Sequence, residues 1–140
     1  MKKIILLAGL VTAVLFGSSS AYSQESVLAS GTLDNAFSSW GRASLRGDWE
    51  IVSVDGKTYI DLADNFRAID GPDVKIFLSP LSVDDVKGNN ATDGSLFVKL
   101  ISEFEGAARI EIPEGTNLDD FETLVFHCED YSKLWGVSPL

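Results

Sequence analysis

Trp49-Glu50-Ile51-Val52-Ser53-Val54-Asp55-Gly56-Lys57-Thr58-Tyr59-Ile60-Asp61-Leu62 is the stretch whose reading decides the fold. Trp49 to Val54 is rich in β-branched and aromatic residues, and Thr58 to Leu62 resumes that character after Asp55-Gly56. Asp-Gly suits a two-residue type I′ turn, because both central residues of that turn need positive φ. The stretch predicts an antiparallel hairpin.

The same grammar continues downstream. Asp70-Gly71-Pro72-Asp73 breaks the chain. Val74, Ile76 and Leu78 then alternate with Lys75, Phe77 and Ser79, the period-two pattern of a strand, until Pro80 stops it. Leu96 to Ile101, Ala107 to Ile112, Glu122 to Cys128 and Lys133 to Val137 read as further strands. Gly106, the polar connection Pro113 to Asp119, and Glu129-Asp130 separate them. Leu81 to Ser95 holds Asp84, Asp85, Gly88, Asn89, Asn90, Asp93 and Gly94 and reads as an exposed loop, with a short helical turn near Ser82 to Val86. The expected fold class is all-β: a single antiparallel β-sandwich, Greek-key-like, of about seven or eight short strands. No internal repeat is visible, which excludes solenoids and propellers.

The beginning of the chain has a different character. Met1, Lys2 and Lys3 precede an apolar run from Ile4 to Phe16, and small residues from Gly17 to Ala21 follow. This is the layout of a secretory signal peptide over residues 1–23, with cleavage after Ala21 or after Ser23. The run is shorter than the about 20 residues a membrane span needs, so no stable membrane anchor is expected. Residues 24–40 are Ser-rich and small, and read as a flexible leader before a domain over residues 41–140. The expected location is outside the cytoplasm, periplasmic or extracellular. A remainder of about 120 residues fits one domain.

The formal net charge is −10, and loss of Lys2 and Lys3 with the signal peptide makes it more negative still. Such a surface repels phosphate backbones and anionic lipid, which argues against nucleic acid as a partner. It also serves simply to keep a secreted domain soluble.

The catalytic inventory is sparse. The sequence contains no C-x-x-C, no C-x-x-C-H for covalent haem, no Gly-rich phosphate loop and no G-x-S-x-G. With one histidine and one cysteine, a tetrahedral zinc site lacks ligands and a hydrolase lacks partners for its base. No catalytic residues are assigned, and turnover by this chain alone is not expected. Cys128 and the adjacent His127 carry what distinctive chemistry there is.

Two readings of Cys128 stand side by side. One is a redox thiol or a soft ligand to non-covalent haem or to copper. The other is a free cysteine that packs as a small hydrophobe. Strand alternation points His127 away from Cys128, and Glu129 and Asp130 disfavour a thiolate next to them. An exported protein with one unpaired thiol, however, is open to oxidation and cross-linking. His127 alone reads as a partly exposed strand residue or a weak ligand. Phe121, Phe126, Tyr131 and Trp135 read either as the walls of a cofactor pocket or as core. Asp61, Asp64, Asp70 and Asp73 do not follow the spacing of an EF-hand calcium loop. Arg46-Gly47-Asp48 is a chance match to an adhesion tripeptide, since Trp49 and strand-like sequence follow it. Asn90-Ala91-Thr92 has the form of a glycosylation sequon, which marks the loop as exposed.

Two blocks together carry a resemblance. Phe66 to Ser79, with Asp70-Gly71-Pro72-Asp73 at its centre, resembles the Gly-Pro-Asp block of the DM-thirteen (electron-transfer DM) domain family. Ile110-Glu111-Ile112-Pro113, Leu124-Val125-Phe126-His127-Cys128 and Trp135-Gly136 are similar to that family's closing segment. Gly47 and Val52 to Leu62 are similar to its opening strands. The resemblance covers roughly residues 41–140 and implies a β-sandwich that serves as a redox or electron-transfer module. It implies that Cys128 is a bare redox thiol or a haem ligand. His127 departs from the aromatic residue common at that position in the family, which either adds a ligand or reflects an exposed face.

The expected function is an exported redox or electron-transfer module centred on Cys128, working with a redox or protein partner outside the cytoplasm. The alternative is a non-enzymatic binding domain with Cys128 in the core. In that reading a sheet face or the loop Leu81 to Ser95 meets the partner.

Overall fold

The computed structural model describes residues 23–34 and 45–140. Apart from Ser23, the expected signal peptide lies outside the described residues. Nine strands follow in order: β1 (Glu25–Leu33), β2 (Leu45–Val54), β3 (Lys57–Leu62), β4 (Arg67–Ala68), β5 (Val74–Ser79), β6 (Leu96–Leu100), β7 (Ala108–Glu111), β8 (Thr123–Cys128) and β9 (Lys133–Pro139). Among the described residues, one 3-10 turn accompanies these nine strands, over Leu118–Asp120. The strands form two antiparallel sheets, ordered β1-β2-β3-β7, with β4 also on β2, and β6-β5-β8-β9. The chain is therefore the all-β sandwich its sequence predicts.

The deciding hairpin forms as its turn chemistry requires. Val54 pairs with Lys57 across the turn, and Asp55 and Gly56 have φ of 50° and 83°. Both values lie in the left-handed region of a type I′ turn. The alternating residues Leu45, Trp49 and Ile51 of β2 and Ile60 and Leu62 of β3 point into the space between the sheets. Val74, Ile76, Leu78, Leu124, Phe126 and Trp135 meet them from the other sheet. Removing such side chains from water supplies about 1.5–3 kcal/mol each, the dominant favourable contribution to the sandwich. Trp49 also donates its indole N–H to Ser138 Oγ at 3.0 Å, satisfying a buried polar group while tying β2 to β9.

Two expectations need correction. Residues 25–33, expected within a flexible leader, form β1 and pair with β2 from Glu25↔Val54 to Leu33↔Gly47. Their small side chains reflect packing. A Cβ at Gly31 would stand 2.8 Å from Trp49 Cζ2 and 2.9 Å from Ser138 Oγ, so only glycine lets the strand lie so close to the indole. The loop Leu81 to Ser95, expected to be exposed, is in part a lid. Val86 and Ala91 are buried against Phe77, Val125 and Val137, on the face of β5-β8-β9 that points away from the main core. The short helical turn near Ser82 is present as hydrogen bonds from Asp85 and Val86 N–H to Ser82 O. Asn90, in the sequon, accepts from Lys87 N–H at 2.6 Å and donates to Asp85 O at 3.0 Å. Its amide is a staple within the loop.

Gly47 sits where no other residue fits without strain. Its φ is 129°, and a Cβ there would lie 2.6 Å from Phe66 Cα. Gly47→Ala is expected to destabilise the fold by about 3 kcal/mol through combined backbone strain and overpacking. Gly56→Ala, with open space around its Cβ but a positive φ, is expected to cost about 1 kcal/mol. Urea unfolding of the two variants checks the ordering.

Candidate functional site

β8 lies between β5 and β9, so both of its edges are hydrogen-bonded. All six of its residues are buried. Strand alternation sends Leu124, Phe126 and Cys128 into the main core and Thr123, Val125 and His127 to the opposite face. Cys128 and His127 are thus adjacent in sequence and separated by the sheet, as their spacing predicts.

Cys128 is a free cysteine with 0% exposure. Its cross-strand partners are Val74 and Lys133. Around it the two separated sequence blocks meet. Gly71 leaves room for an indole: a Cβ there would stand 2.7 Å from Val74 Cγ2 and 2.9 Å from Trp135 Cζ2. Trp135 fills that space and donates its Nε1–H to Ile69 O at 2.8 Å. Asp73 then fastens the turn that follows the cysteine. Its backbone carbonyl accepts from Glu129 N–H at 3.3 Å, and its Oδ2 accepts from Asp130 N–H at 3.1 Å. Lys75 Nζ completes the arrangement at 3.2 Å from Asp73 Oδ1 and 2.5 Å from Glu129 Oε2. Those carboxylates, Glu129 first, hold the Lys75 ammonium above its ordinary pKa. The Gly-Pro-Asp turn is therefore the clamp on the cysteine end of β8.

β8 and β9 slip register between Phe126 and His127, which places Trp135 as the extra residue of a bulge opposite those two residues, one pair before Cys128. Sequence reasoning did not find this bulge. Lys133 to Val137 reads as an ordinary short strand, and Trp135 reads only as a large apolar residue.

His127 was expected to be partly exposed and is instead 2% exposed. The ring of Phe77 meets it edge-on at 6.4 Å between centroids. Its Nδ1 is buried with no hydrogen-bond partner. Burial pushes the imidazole below its ordinary pKa. Glu129, a bond with the Lys133 backbone and Asp73 pull the other way, and Lys75 adds to the lowering.

The residues present do not fit haem or copper held through Cys128, whose thiol is packed in the main core with no exposed surface. The imidazole and the thiol face opposite sides of β8, and among the described residues no group of three or more His, Cys, Asp or Glu side chains could hold a metal ion. The aromatic residues near the end do not converge on one pocket. Phe126 and Trp135 are core, Phe121 is half-buried at the periphery and Tyr131 is exposed. Of the aspartates Asp61, Asp64, Asp70 and Asp73, the first lies on β3 and pairs with Arg109 at 2.5 Å, and the last pairs with Lys75. Asp48 of the adhesion-like tripeptide accepts from Thr32 Oγ1 and Asn65 Nδ2, both at 2.7 Å, within a strand.

Residues 36–140 match the family model described as Electron transfer DM13, and the chain belongs to that family. The match begins after β1, so the edge strand Glu25–Leu33 lies outside it. No curated protein and no solved structure matches the chain.

Replacing the core thiol by a hydroxyl at Cys128→Ser is expected to cost about 1 to 3 kcal/mol, read by thermal or urea unfolding. Asp73→Ala removes a side-chain acceptor of the turn at Asp130 and one carboxylate of the Lys75 pair. It is expected to speed labelling of Cys128 by an aromatic disulfide under native conditions, with the β2–β3 hairpin still protected from amide hydrogen exchange. An unchanged labelling rate would show that Asp73 does not hold the thiol closed.

Proposed function

We propose that this electron-transfer-family domain works outside the cytoplasm as a redox module whose active group is the bare thiol of Cys128, without a bound cofactor. The observation that carries this reading is the convergence of the Gly71-Pro72-Asp73 turn, the Trp135 bulge and the Asp73–Lys75–Glu129 cluster on the end of β8 that bears the cysteine. Export is supported by the basic, apolar and small-residue layout of residues 1–23. The partner is a thiol or disulfide protein of the same compartment.

The thiol reacts when the turn Glu129–Ser132 lifts and uncovers it. It loses its proton to water and attacks a partner disulfide. A mixed disulfide forms, the partner's S–S bond breaks, and the departing sulfur leaves as a thiolate. Burial keeps the thiol from casual oxidation between such encounters, which is useful for an unpaired cysteine in an oxidising compartment. The complete burial of Cys128 favours a second reading, in which the cysteine is core and the domain binds a partner without redox chemistry.

The test is incubation of the native protein with glutathione disulfide, followed by mass spectrometry, with global unfolding measured in parallel. A Cys128 adduct that forms faster than the protein unfolds supports the redox reading. An adduct that forms only at the unfolding rate leaves Cys128 as packing. A visible spectrum with and without added haem or copper is expected to show no Cys128-dependent band, and such a band would overturn the cofactor-free form of the proposal.

A further inference from the structure

Among the described residues, His127 is the one buried titratable group that the thiol chemistry leaves unused. It lies on the outer face of β8, beneath the layer formed by Leu81 to Ser95. Its cross-strand partners on that face are Lys75 of β5 and Leu134 of β9. The lid packs on the neighbours of the imidazole, Phe77 on β5 and Leu134 on β9. Val86 and Ala91 cluster with Phe77, whose ring meets His127, while Leu134 packs on the same cluster. Gly88 lies against the backbone of Ser132 so closely that a Cβ there would collide with the Ser132 carbonyl, and that Cβ would be 3.7 Å from Leu134 N.

Nδ1 has no hydrogen-bond partner, so the neutral ring carries its proton on Nε2. The neutral ring is content with this, because an unprotonated nitrogen facing apolar side chains loses only an acceptor. A protonated ring would turn Nδ1 into a cationic N–H donor with no acceptor in reach, a far more costly arrangement. We infer that His127 is a pH-sensitive latch: acidification releases the lid formed by Leu81 to Ser95 from the outer face of β5-β8-β9, while the sandwich beneath stays folded.

The charges around the ring do not remove this penalty. On β8 and its turn Glu129 favours protonation, and at the start of β5 Asp73 does too, but both carboxylates are already engaged by Lys75. Lys75 itself, cross-strand from the ring, opposes protonation. Lys133 contributes its backbone, and on the lid Lys87 is turned to Asp84 O while Asp85 accepts from Ser82 Oγ. The folded-state pKa of His127 is lowered from 6.5, so the released form, with an ordinary histidine, gains the proton first. Closure is complete above about pH 6.5 and is lost progressively as pH falls below it.

Amide hydrogen exchange of the full chain from pH 7.5 to 5, corrected for intrinsic exchange, tests the latch. Lid amides such as Val86 and Asp93 should lose about tenfold protection per pH unit below 6.5, as release of one proton-binding site requires. The β2–β3 hairpin amides should not change. His127→Phe should abolish the pH dependence of the lid, and His127→Gln serves the same purpose where phenylalanine prevents folding. Lid protection that stays flat in the parent protein overturns the inference. So does pH dependence that persists in the variants, which would trace it to Asp73 and Glu129. The readout is independent of whether Cys128 is redox-active.

Discussion

Every structural property of the candidate site traces back to the burial of β8 on both faces. A strand in a two-layer sandwich normally shows one face to water. Here the main core covers Leu124, Phe126 and Cys128, and a folded loop covers Thr123, Val125 and His127. The loop is held by its own short-range bonds, including the Asn90 staple, and by Val86 and Ala91. Without that third layer the outer face would leave Val125, Val137 and Phe77 in water, and the imidazole would be an ordinary surface histidine.

The same strand explains how the cysteine is guarded. Its end would fray if left to the β8–β9 turn alone, since turn residues open more readily than strand interiors. Asp73 prevents this by accepting from the backbone on the far side of the cysteine, and Lys75 joins Asp73 to Glu129. The clamp is polar and lies at the surface, whereas the thiol lies in the apolar interior. Lys75 stands cross-strand from His127, so the ionic cluster lies on the outer face of the sheet and can open locally without disturbing the main core. Any molecule that reached the buried thiol would require such an opening.

Much of the fold was legible from residue pattern. The Asp55-Gly56 turn, the alternation from Val74 to Ser79 and the spacing of the later strands each report backbone geometry directly. β1 was not legible, because Ser, Gly and Ala are equally the residues of a linker and of a strand pressed against Trp49. The lid was missed for a related reason: its polar residues face solvent or bond one another, and only Val86 and Ala91 betray the burial. A signal was present in β8 itself, where Thr123-Leu124-Val125-Phe126-His127-Cys128 runs nearly apolar without alternation, as a strand covered on both faces should. At the site, the opposite orientation of His127 and Cys128 followed from alternation. The role of Asp73 did not, since sequence distance conceals that Val74 and Cys128 are paired.

Burial on both faces has an implication for how the chain finds its alignment. In a half-exposed strand, a slip of one residue would turn apolar side chains to water, and that penalty fixes the pairing. β8 receives little such guidance, because either face accepts apolar residues. The information must come from its neighbours. Trp135 in the bulge fits only over Gly71, and Asp73 can reach the amides of Glu129 and Asp130 only when Val74 stands opposite Cys128. The turn that shields the thiol is thus also the ruler against which the central strand is measured during folding.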